Sequence, residues 1–135
     1  MKHVLLLSAC CLVLFLVTGC QRGGRDLADV AVELEIEPQP VRVGLATVRV
    51  ALSDEAGQAI EGAQVEIEGN MSHAGMVPVF SAAREAAPGR YEAQLEFTMG
   101  GDWFIVVRVD LPDRRSLERT FDVRGVDISC LDTPE

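Results

Sequence analysis

Soft-donor side chains are scarce in this sequence and confined to two short stretches. It holds four methionines and two histidines. With Met1 and His3 set aside in the N-terminal segment, Met71-Ser72-His73-Ala74-Gly75-Met76 contains two of the remaining methionines and the last histidine. Met99 stands alone before Gly100-Gly101, and Trp103 follows it closely. Thioether sulfur combined with a neutral imidazole nitrogen is a donor set that suits Cu(I). The second ring nitrogen of His73 would then need an acceptor of its own. Met71, His73, Met76 and Met99 are therefore candidate metal ligands, with Trp103 placed to shield them. A second reading stays open, because methionines near strand ends also fill irregular gaps in a core.

Other chemistries find little support. A Ser-His-Asp or Cys-His arrangement would have to use His73, and no nucleophile motif accompanies it. No glycine loop has phosphate-cradling spacing, and no cysteine pair has zinc spacing. The acids alternate along strands, as on a solvated face, rather than pairing across a cleft. The formal charge of -9 disfavours nucleic acid, whose phosphates need a basic surface. These readings point away from an enzyme.

Elements of period two must position the soft donors. Val30, Val32, Leu34 and Ile36 alternate with Ala31, Glu33, Glu35 and Glu37 before Pro38 and Pro40. A second strand runs about Leu45 to Leu52, and a third turns Ala63, Val65 and Ile67 inward. If that register runs on, Met71 and His73 keep the inward parity. A weaker strand is expected around Met76 to Ala82. The clearest one runs from Arg90 to Met99, with Tyr91, Ala93, Leu95, Phe97 and Met99 on one face. Gly100-Gly101 reverses the chain into Trp103, Ile105, Val107 and Val109, and Leu117, Phe121 and Val123 belong to a last strand. Phe104 and Val106 put apolar groups on the outer side, either beneath a loop or as a contact patch. Tyr91, two residues after Gly89, is expected to act as a corner whose hydroxyl bonds back to the backbone. About seven strands without helical periodicity predict an all-β, immunoglobulin-like antiparallel sandwich.

The start of the chain reads as a targeting segment. Val4 to Val17 is almost wholly apolar but falls short of the roughly 20 residues of a membrane span. Leu16-Val17-Thr18-Gly19-Cys20 resembles the lipobox of bacterial lipoproteins. The resemblance implies a signal peptide over 1–19 and lipid on Cys20. A tether over 20–29, a sandwich over 30–126 and a polar tail over 127–135 follow in this division. Cleavage would leave 11 arginines against 21 acids, a charge of -10, with no lysine. Of the four cysteines only Cys130 would remain a free thiol, so the core must hold the domain without an intrachain disulfide.

Further segments carry a family resemblance. Gly69-Asn70-Met71-Ser72-His73-Ala74-Gly75-Met76, Pro88-Gly89-Arg90-Tyr91 and Phe97-Thr98-Met99-Gly100-Gly101-Asp102-Trp103 together resemble the YtkA-like/FixH-like domain. Leu52-Ser53-Asp54-Glu55-Ala56-Gly57 and Gly62-Ala63-Gln64-Val65 resemble its strand-turn-strand opening. The resemblance implies an exported domain in a bacterial cell envelope, facing the periplasm or the exterior. It further implies copper handling, with a membrane protein complex or a copper-handling protein as partner. An immunoglobulin-like module that assists complex assembly without metal is the alternative. Ser72 departs from the Met-Gly-His runs frequent in that family.

Overall fold

Alternating β-branched and charged residues build this domain strand by strand, because successive side chains of an extended backbone face opposite sides. A computed structural model describes residues 27–73 and 75–128. Its strands are β1 (Val30–Glu37), β2 (Gly44–Asp54), β3 (Gln64–Met71), β4 (Val79–Ala87), β5 (Arg90–Phe97), β6 (Gly101–Asp110) and β7 (Ser116–Val126). They form one antiparallel ladder in the order β1-β2-β5-β4-β3-β6-β7. The expected all-β, sandwich-like fold is what the chain adopts.

The ladder becomes two layers because β4 changes partner midway. Residues 79–83 pair with β3, whereas Arg84, Glu85 and Ala87 pair with β5 across a register irregularity. Alanines recur along β4 and give it no strong apolar face, so neither layer claims its whole length. The sequence pattern therefore placed a short strand near 76–82, where the actual one is longer and starts later. On the opposite side the layers close through main-chain bonds. Asp127 N–H donates to Val41 C=O at 2.9 Å, and Val43 N–H donates to Asp127 C=O at 2.8 Å.

Inward residues from both layers make a single core. Val48, Leu95, Phe97, Ile67, Ile105 and Val107 have no exposed surface at all. Each such apolar side chain contributes about 1.5–3 kcal/mol relative to exposure. Outward acids are matched by arginines across strands. Arg108 reaches Glu68 at 2.5 Å, Glu118 at 3.0 Å and Glu66 at 3.4 Å. Val106, expected as outward, is buried on that face, between Glu68 and Thr120 in register and beside Arg108 in sequence. Its burial removes it as a contact residue. Phe104 is half-buried.

A polar junction ties the β4–β5 hairpin to the loop before β3. The Tyr91 hydroxyl donates to Ile60 C=O at 2.9 Å and accepts from Ala63 N–H at 3.0 Å, the corner anticipated from Gly89-Arg90-Tyr91. Beside it, the Glu85 carboxylate accepts from Gly62 N–H and Gly89 N–H, both at 3.0 Å. Those two amides hold the Glu85 carboxyl below its ordinary 4.5, because they bind the ionised form. A depressed folded value stabilises the fold above the unfolded pKa and is lost as pH falls through the folded one. Urea unfolding from pH 6 down to pH 3 should therefore show a loss of stability that is smaller in Glu85→Gln. Identical pH slopes in the two proteins would refute the role of Glu85.

Candidate functional site

β3 delivers Met71 to one end of the sandwich. Its inward parity runs from Val65 through Ile67 and Gly69 to Met71, which is 6% exposed and part of the core. Gly69 is small for a reason: a Cβ there would lie 3.1 Å from Leu95 and 3.4 Å from the Trp103 ring. Met71 is the register partner of Trp103 on β6. The strand ends at Met71, so inward parity does not continue to His73. His73 is exposed in the following turn, where its carbonyl accepts from Met76 N–H at 3.4 Å. Met76 is half-buried and packs against the core.

Met99 arrives at the same end from β5. That strand stops at Phe97, and Met99 stands in the β5–β6 turn, 45% exposed. The Trp103 indole N–H donates to Met99 C=O at 2.9 Å, which fixes the turn from within. Trp103 itself is 2% exposed and meets Phe97 edge-on, with ring centroids 5.1 Å apart. Gly101 has φ of 121° and leaves the space that Met71 uses, since a Cβ there would stand 3.2 Å from the Met71 methyl. The Met71 methyl thus lies against Gly101, in the turn that carries Met99. The geometry joins Met71, Met99 and Trp103 at one rim, and puts His73 and Met76 on the turn that leaves it.

The surroundings of this rim were not legible from residue type. Ile128 covers Gly100 so closely that any Cβ at Gly100 would collide with its side chain. Asp102 accepts from Gly125 N–H at 2.9 Å, which pins the end of β7 to the same turn. Next to Met71, Asn70 donates to Glu68 at 2.8 Å. That bond first, and Arg108 second, hold the Glu68 carboxyl below its usual range despite partial burial. Among the described residues, no group of three or more His, Cys, Asp or Glu side chains could hold a metal ion. A metal at this rim would draw on thioether sulfur, with His73 as the nearest nitrogen donor in sequence. Cys20 and Cys130 lie outside the described residues.

The YtkA-like family model matches residues 25–108, more than half of the chain, including β3, β5 and most of β6. The chain belongs to the YtkA-like family. No curated protein matches it. Among solved structures, this YtkA-like chain is similar to murine CRIg, at 12% identity and a TM-score of 0.43, over 74% of this chain and 99% of that one. It is also similar to the outer membrane decaheme cytochrome OmcA, at 11% identity and a TM-score of 0.44, over 78% of this chain. The YtkA-like chain spans a quarter of that cytochrome's length.

Proposed function

We propose that this YtkA-like protein is an exported accessory lipoprotein, anchored through Cys20 in a bacterial cell envelope, that binds or hands on Cu(I). The observation that carries the reading is the approach of the Met71 methyl to Gly101, in the turn that follows Met99. It supports the reading because Met71 and the turn that carries Met99 share one end of the sandwich, with His73 and Met76 on the adjoining loop. Soft sulfur donors with one imidazole favour Cu(I) over hard divalent ions. Bound there, copper would be held by Met71, His73, Met76 and Met99, with the Trp103 ring between the rim and the core.

Titration of the chain with Cu(I) against a competing chelator tests this. A Met71→Leu/His73→Gln/Met99→Leu variant keeps side-chain volume close to the original, and its affinity is expected to fall by about 100-fold or more, some 2.7 kcal/mol. Unchanged affinity would remove these residues as ligands. For the anchor, fatty-acid labelling of cells is expected to mark the protein and to vanish in Cys20→Ser. Label that persists in that variant would contradict lipid attachment.

A further inference from the structure

The edge of the sandwich formed by the first half of β4 differs from every other edge segment. Among the described residues, 79–83 hydrogen-bond in register with β3 only, so the far side of this strand presents unpaired backbone groups. Proteins normally blunt such edges with charges. The other edge strands follow that rule: β1 carries Glu33, Glu35 and Glu37, β7 carries Glu118, Asp122 and Arg124, and the second half of β4 carries Arg84 and Glu85. From Met71 to Ala83 there is no Asp, Glu, Lys or Arg. Instead the segment exposes Val77 at 77% and Phe80 at 57%, the two most exposed large apolar side chains between Leu45 and Ile128.

Directly behind this edge the charge is one-sided. Phe80 and Ala82 sit in register with Glu68 and Glu66 on β3. Those two carboxylates and Glu118 share one guanidinium, that of Arg108. Glu66 remains half-exposed.

We infer that 77–83 is a docking edge for an extended segment of another protein, one that carries an apolar and a basic residue two positions apart, on the same face. Such a segment adds as a further strand beside β4. Its backbone completes the open ladder, the mode by which peptides augment exposed sheet edges. An apolar side chain pairs with Phe80 across the new strand boundary. A Lys or Arg two positions along, opposite Ala82 and on the same face, reaches Glu66, where carboxylates outnumber cations. A second copy of this chain fits less well, because it brings the same surplus of acid to the same place. The inference is independent of copper binding, although the edge follows directly on the loop that holds His73 and Met76.

The test uses the full chain and a short fluorescent peptide in which valine and arginine stand two positions apart with threonine between them, and a counterpart with glutamate in place of arginine. Anisotropy titration is expected to give saturable binding of the basic peptide, at least about tenfold tighter than of the acidic one. Backbone amides within 79–83 should gain hydrogen-exchange protection in the complex. Phe80→Asp separates docking from general attraction of a cation to an acidic protein. It adds negative charge yet should weaken binding by about tenfold, with thermal unfolding unchanged because Phe80 is exposed. Equal or tighter binding by Phe80→Asp, or protection that avoids 79–83, would overturn the inference. So would sedimentation showing a dimer that Phe80→Asp dissolves, which would make the occupant a second copy.

Discussion

Trp103→Ala is expected to cost about 3–5 kcal/mol, close to the whole stability of a domain this size. The indole is 2% exposed, stacks edge-on with Phe97, and would share its pocket with a Cβ on Gly69 were one present. Removing it leaves a cavity where β3, β5 and β6 meet, and neighbouring strands tied by main-chain bonds cannot collapse into it. Trp103→Phe keeps most of the packing and deletes the N–H bond to Met99 C=O. It should cost less, and its extra effect should be local, as faster amide exchange in the Met99–Gly101 turn. Urea unfolding at constant m-value measures the first cost. A loss under about 1 kcal/mol for Trp103→Ala would contradict a core role for this ring.

Gly89→Ala is expected to destabilise by about 2–4 kcal/mol, from two separate sources. Its φ of 65° lies in the left-handed region, which a Cβ disfavours by roughly 1–2 kcal/mol. A Cβ there would also stand 2.8 Å from the Ala59 Cβ and 2.9 Å from the Leu52 carbonyl, neither of which can swing aside. Gly125→Ala supplies the comparison. Its φ is 66°, yet nothing lies within 4 Å of the added Cβ. Gly125→Ala should therefore lose only the conformational part. Thermal or urea unfolding of the two variants reads the difference, and equal losses would show that the close approach of Ala59 and Leu52 carries no energy.

Much of the sheet was readable from alternation alone. Tyr91, Ala93, Leu95 and Phe97 share the buried face of β5, as their period demands, because burying one face of a strand leaves no other register. The Tyr91 corner was readable too, since a buried hydroxyl must find backbone partners. The end of that parity was harder. His73 and Met99 sit at inward positions only if β3 and β5 continue, and both strands stop first. Hydrogen bonding between neighbouring strands ends a strand, and one strand's pattern does not contain its neighbour's length. Val106 was left open between cover and contact patch for a related reason: it is buried beside its register partners on β3 and β7, which are distant in sequence.

The scarcity of soft donors and their grouping in two stretches belong to the sequence itself. So do the resemblance that family membership bears out, the acidic balance and the all-β pattern. Tertiary structure alone decided where each of those donors lies. Met71 reaches the Met99 turn because β3 and β6 are register partners and Gly101 lacks a Cβ, while His73, two residues beyond the strand, is exposed. It also decided that the uncharged stretch after His73 becomes an open edge, since β4 leaves one layer for the other midway. Residue type sets what a side chain can bind, but contacts between distant strands set what it can reach, and those follow from the packing of the whole sheet.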